Sequence, residues 1–225
     1  MSASLLVEFF QQLPMFQPGD DEELWTAGLQ DAMRTFRARV QQRYQEGTLQ
    51  RLLVSSEDVK ARQAAALALG LVGTWSSVPI VAAALHDSDA LVRRFAADSL
   101  WELWFRGGTP EQNARLREAM LEPNAAKARQ ELDALIEEAP DFAEAHNQRA
   151  IWYFKRGEFL RAVEDCETVL RLNPYHFGAA AGMGQCYLKL HRPHAALRAF
   201  RQAVAINPDL DLHDTIRLLE ELQGE

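Results

Sequence analysis

The chain has 225 residues, a formal net charge of −8, and ordinary shares of hydrophobic (48%) and charged (25%) residues, enough for a sizeable core in one or two domains. The acidic balance weighs against nucleic acid or an anionic membrane surface as the main partner, and two cysteines, Cys166 and Cys186, exclude a disulfide scaffold. No apolar run approaches the roughly 18 residues of a membrane span, and the opening MSASLLVEFFQQLPMF has no positive n-region and is interrupted by Glu8, so it reads as a helix or arm of a cytoplasmic protein.

Apolar residues recur at helical spacing almost throughout, and strand signals are nearly absent. In chain order, residues 20–46 give a first helical unit carrying Leu24, Leu29, Met33, Phe36, Val40 and Tyr44. On it, Arg34, Arg37, Arg39 and Arg43 form a basic run behind the acidic DDEE (20–23), which reads as a solvated face, with phosphate binding as the minor alternative. Residues 1–47 therefore read as an N-terminal arm or capping unit.

A 31-residue period follows. DVKARQAAALALG (58–70) aligns with DALVRRFAADSLW (89–101), so that Arg62 falls on Arg93, Ala65 on Ala96, Leu69 on Leu100 and Val72 on Leu103. A shorter apolar helix precedes each segment, and the turns SSED and HDSD separate the helices. Short helix, Asp-containing turn, valine–basic step and Ala/Leu-rich helix together resemble the HEAT repeat, particularly the short HEAT-like type of phycobilin lyases, over residues 48–108.

The second of these helices ends in DSLWELWFRGG (98–108). Trp101, Trp104 and Phe105 stand where the preceding repeat has Gly70, Gly73 and Thr74, while Leu100 and Leu103 keep the inward stripe. A helix apolar on two faces is covered on both, so the three rings are expected to form an interdomain joint. RGGTP (106–110) marks the boundary, with Thr109 as N-cap and Pro110 as first helical residue.

A 34-residue period then runs to the end. Residues 143–174 align without gaps on 177–208: Ala150 with Gly184, Tyr153 with Tyr187, Ala162 with Ala196, and Pro174 with Pro208. This small–Tyr–Ala–Pro spacing resembles the tetratricopeptide (TPR) repeat. A degenerate unit precedes the two clear ones, giving residues 109–225 as TPR repeats plus a closing helix, DLHDTIRLLEELQ (211–223), with a polar face outward. The whole resembles the HEAT–TPR combination proteins of bacteria. The expected fold is all-α, a right-handed helical-hairpin solenoid with HEAT-like repeats followed by TPR repeats.

The chemistry-bearing residues are sparse. Cys166 and Cys186 fall on packing positions, and no zinc-binding frame, phosphate loop or hydrolase motif is present, so no cofactor, metal or catalytic residue is expected. His191 and His194, with His176 nearby, read as a solvated turn rather than a metal site. Arg149, at a normally leucine-like position, needs partners, with Glu164 or Asp165 as candidates.

The TPR resemblance implies that first helices line a concave groove, at Glu144, Asn147, Gln148, Ile151 and Lys155 in one repeat and Gly178, Ala181, Gly182, Gln185 and Lys189 in the next. The expected partner-binding residues are Asn147, Gln148, Ile151, Lys155, Ala181, Gln185 and Lys189, because amides pair with peptide groups and small residues leave room for a backbone. Gly178 and Gly182 stand where chaperone-binding TPRs carry basic clamp residues, which disfavours such a clamp. The leading expectation is a non-enzymatic protein–protein interaction module that binds a peptide or helical segment. The alternatives are a HEAT-like lyase or chaperone-type enzyme with an open aromatic pocket around Trp75, Trp101 and Trp104, and a nucleic-acid-binding adaptor using Arg34–Arg43.

Overall fold

The computed structural model describes residues 4–14 and 21–224, and every regular element among them is helical. Residues 1–3 and 15–20, including Asp20 of the acidic run, lie outside the described residues. The chain divides into two compact units, Met1–Leu103 and Trp104–Glu225.

The first unit is built from α1 (Leu5–Gln11), α2 (Glu22–Arg43), α3 (Glu46–Ser55), α4 (Val59–Val72), α5 (Val78–Ala83) and most of α6 (Ala90–Trp104). Aspartates open its longer helices: Asp21 accepts the Leu24 N–H, Asp58 the Lys60 N–H, and Asp89 the Val92 N–H. The 31-residue period reappears as a repeated hydrogen bond. Arg62 Nη1 donates to the carbonyls of Ser56 and Glu57, and Arg93 Nη1, one period on, donates to those of Asp87 and Ser88. Each arginine thus ties down the turn before its own helix. Arg62 also forks onto Asp87, at 2.8 Å through Nε and 3.1 Å through Nη2, linking one turn to the next. Burial pushes the Asp87 carboxyl up, but the Arg62 guanidinium and the Asp89 backbone N–H outweigh it and hold its pKa below the ordinary value.

Alanines line the buried face of α4. Ala64, Ala65, Ala66 and Ala68 are buried along α4, and at Gly70 the helix touches α6 so closely that a Cβ would lie 2.2 Å from Ser99 Oγ and 2.9 Å from Ser99 Cα. Ser99 Oγ satisfies itself on the Ala66 carbonyl at 2.9 Å. Glu46, at the start of α3, gathers the turn after α4 by accepting from the Thr74 N–H and from the Ser77 hydroxyl.

The second unit continues with helical hairpins: α7 (Pro110–Leu121) with α8 (Ala125–Glu138), α9 (Ala143–Phe154) with α10 (Phe159–Leu172), α11 (Phe177–Lys189) with α12 (Pro193–Ile206), and the single helix α13 (His213–Gln223). Thr109 and Gln112 form a reciprocal capping box at the start of α7, with Pro110 in its first turn. The 34-residue period is carried by the backbone itself. Gly157 has φ +77°, and His191, one period on, has φ +55°. The same bonds close both turns: Gly157 N–H to Phe154 O and Glu158 N–H to Tyr153 O in one, His191 N–H to Leu188 O and Arg192 N–H to Tyr187 O in the other. Close approach within the second clear repeat rests on Gly184, where a Cβ would lie 2.5 Å from the Phe200 ring.

Helix α13 packs Ile216 and Leu219, with Leu212 just before it, on the α12 cluster of Ala196, Leu197 and Phe200. Its outward face is not wholly polar as the sequence pattern suggests: Leu218 and Leu222 are 57% and 72% exposed.

Candidate functional site

Helices α9 and α11 carry the expected groove positions, and the structure sorts them into two groups. Asn147 is buried, 3% exposed, and its Nδ2 donates to Glu144 Oε1 at 2.9 Å, so it turns inward and is removed from a partner's reach. Glu144 is buried beside it. Gln148 is half-buried and donates to the same oxygen at 2.7 Å. Ile151, Lys155, Gln185 and Lys189 are exposed, and the 34-residue period pairs Ile151 with Gln185 and Lys155 with Lys189. Between them, Gly178, Ala181 and Gly182 are half-buried. A Cβ on Gly182 would meet nothing within 4 Å, unlike one on Gly184, so Gly182 leaves open space that packing does not require.

The inward residues form a polar core that sequence reasoning misses. Glu144 Oε2 accepts from His176 Nε2 at 3.0 Å, and both side chains are fully buried. His176 Nδ1 accepts the Ala179 N–H at 3.0 Å, so the ring carries its proton on Nε2 and caps α11. Trp104, 1% exposed, stacks on that imidazole with centroids 4.0 Å apart, and meets Phe177 edge-on at 5.1 Å. One carboxylate thus fixes α9 to the start of α11 and orients Gln148. The only sequence signal is that Glu144 and His176 stand 32 residues apart, close to one period.

Arg149 lies on another face of α9. Its guanidinium forks onto Asp165 of α10, at 2.9 and 2.7 Å, and reaches Asp133 of α8 at 2.9 Å. Of the two partners expected for it, Asp165 is the one engaged. Burial raises the Asp165 pKa, but hydrogen bonds from Arg149 and His146 outweigh this and hold it below the ordinary range. The next repeat has Met183 and Ala199 at these positions, so an ion pair replaces an apolar contact in one repeat.

A crevice of about 270 Å³ is lined by Met120, Ala128, Gln148, Ile151, Trp152 and Lys155 among others. Trp152 Nε1 donates to the Ala125 carbonyl, and the Arg156 guanidinium lies 3.7 Å from the Trp152 ring centroid.

The remaining candidates are placed as follows. Trp104 and Phe105 pack within the second unit, Phe105 against the cluster of Leu116, Leu132 and Phe142, whereas Trp101 is half-buried in the first. The division falls within α6, earlier than the glycine pair. Because Trp104 is buried, it lines no open aromatic pocket. His176 is likewise buried, not part of a solvated turn; His191 and His194 are exposed. Among the described residues no cluster of His, Cys, Asp and Glu is placed to hold a metal. Arg34 pairs with Asp31, while Arg39 bonds Gln12 and lies over Phe9, so two arginines of the basic run are engaged within the protein. No described helix is long and apolar enough to cross a membrane.

Comparison with known proteins finds both repeat types, with the change from one to the other at residue 153. The family of HEAT repeats matches residues 46–153, and that of the tetratricopeptide repeat matches residues 153–219. The HEAT match runs on through α7, α8 and most of α9, where both repeat types are antiparallel amphipathic hairpins. A TPR repeat-containing protein of Rhizobium etli is 33% identical over 91 residues, 40% of this chain and 45% of that protein. A Bos taurus protein, SGT1 homolog, is 32% identical over 108 residues, 48% of this chain and 32% of its own length. The chain spans less than half the length of either relative.

Proposed function

From a chain that carries HEAT and tetratricopeptide repeats, families that are generally protein-interaction scaffolds, we propose a non-enzymatic, cytoplasmic module that binds a peptide or helical segment of a partner protein along α9 and α11. The observation that carries this reading is the contrast between Gly182 and Gly184. Gly184 is required by packing against Phe200, whereas Gly182 clears space beside exposed Ile151, Lys155, Gln185 and Lys189 that no internal contact uses. A floor of small residues lets a partner's backbone approach, and the Gln185 amide offers both a donor and an acceptor to it. Internal polar groups on α9 are meanwhile satisfied by one another, so the groove is a rigid, preorganised surface.

The test is affinity purification from the native source with the wild type and with Ile151→Asp/Gln185→Ala. Both side chains are exposed, so folding is preserved. Loss of specific co-purifying protein supports the groove; identical recovery removes these residues from the reading.

A further inference from the structure

The crevice of about 270 Å³ marks where the degenerate unit departs from the repeat. Both clear repeats carry a tyrosine near the end of their first helix, Tyr153 and Tyr187, one period apart. Tyr153 belongs to the apolar cluster that joins α9, α10 and α11, and Tyr187 packs on that cluster and on the one that seats α13. One period upstream of Tyr153 stands Ala119, and one period upstream of Phe159 stands Ala125. Both alanines line the crevice, together with Met120, Ile151 and Trp152. Trp152, where the next repeat has Cys186, fills part of the seat and is held there by its Nε1 bond to the Ala125 carbonyl at 2.9 Å. The rest is open and large enough for one ring, since a closed cavity of about 150 Å³ already takes up benzene.

The rim of this seat is cationic. The charged residues that line it are Glu122, Lys155 and Arg156. Glu122 is spent on Lys127, at 2.7 Å. Arg156 lies over the Trp152 ring and donates to the Trp152 carbonyl, contacts that leave its charge uncompensated. Among the described residues neither Lys155 nor Arg156 makes an ion pair, in a chain whose net charge is −8. An apolar, ring-sized opening between two such cations is complementary to an aromatic side chain flanked by carboxylates. We propose that the seat left open by Ala119 receives an aromatic side chain from an acidic segment of the partner, with Lys155 and Arg156 pairing to the carboxylates beside it. This deepens the partner-binding reading above, on which it rests, by naming what the partner carries.

The test is titration of the isotope-labelled full chain with the acetylated, amidated pentapeptide DDFDD, following the Trp152 indole N–H signal, assigned with Trp152→Phe. DDFDD is expected to shift that signal saturably, and the peptides DDADD and KKFKK to bind about tenfold more weakly or not at all. Ala119→Tyr restores the ring of the clear repeats and abolishes the response. A wild type that does not respond to DDFDD overturns the proposal, as does an equal response to DDADD or KKFKK, or a response that survives Ala119→Tyr. If Ala119→Tyr melts early, Lys155→Glu/Arg156→Glu decides, since both side chains are exposed: it weakens DDFDD about tenfold, and undiminished binding overturns the proposal. The floor on α11 fails separately. Partner recovery unaffected by Gly182→Arg overturns that floor and leaves the crevice standing, whereas a DDFDD response abolished by Gly182→Arg overturns the crevice.

Discussion

His176 lies nearly face to face on Trp104, with ring planes inclined by 18°, while its Nε2 donates to the buried carboxylate of Glu144. One imidazole therefore joins a stacked aromatic contact to a charge-assisted hydrogen bond, and the two contributions are separable. Trp104→Ala removes the ring from a closed site and is expected to cost about 3–5 kcal/mol. His176→Phe keeps an aromatic ring on Trp104 but strips Glu144 of one donor, costing about 2–3 kcal/mol. Chemical denaturation followed by circular dichroism measures both.

Arg149 and Asp165 form a pair that the following repeat replaces with Met183 and Ala199. Arg149→Met leaves a buried carboxylate short of its main partner and is expected to cost about 3–5 kcal/mol. Arg149→Met/Asp165→Ala imitates the next repeat and costs less than the sum of the two single changes, which a double-mutant cycle reads directly.

The same carboxylate sets an acid limit. Its folded pKa is depressed, so its contribution is fully present above the unfolded value of about 3.9 and is lost as pH falls through the lower folded value. Stability is expected to fall below about pH 4, and Asp165→Asn, already uncharged, flattens that part of the profile when melting temperature is followed against pH.

His191 adopts the left-handed backbone that Gly157 adopts one period earlier. His191→Gly relieves a strain of about 1 kcal/mol and is expected to stabilise the second unit, whereas Gly157→His destabilises it by a similar amount. Thermal melts of the two variants give opposite shifts.

Both thiols are shielded. Burial pushes Cys186 up to about 11 and Cys166 further still. A thiol-specific disulfide reagent at neutral pH is expected to react with neither in the native protein and with both in denaturant. Fast native labelling contradicts the packing described for α10 and α11.

Much of the fold is legible in the sequence because repeats print the same contact twice. The 31-residue register that aligns Arg62 with Arg93 returns as the same guanidinium-to-carbonyl bonds, and the 34-residue register that aligns Tyr153 with Tyr187 returns as the same turn. The candidate site is less legible because repeat position fixes which helix face a residue occupies, not what its neighbours ask of it. Asn147 and Glu144 sit at groove positions by register, yet His176 draws Glu144 inward and Glu144 draws Asn147 with it. Trp104 reads as a covered ring from the two apolar faces of its helix, but the imidazole it stacks on, His176, is not marked by the register. On α13, the polar residues of the outward face mask two leucines that register places there.

The proposal of a groove floored by Gly182 makes stability and binding move in opposite directions. Gly182→Arg removes a mid-helix glycine with no steric conflict, and is expected to raise stability by roughly 0.5–1 kcal/mol. The same side chain fills the space kept for a partner's backbone. The deciding measurement is partner recovery by affinity purification from the native source, with melting temperature followed on the same preparations. The account predicts that Gly182→Arg melts at or above the wild type and loses the partner. A variant that is equally stable and recovers the partner undiminished contradicts it.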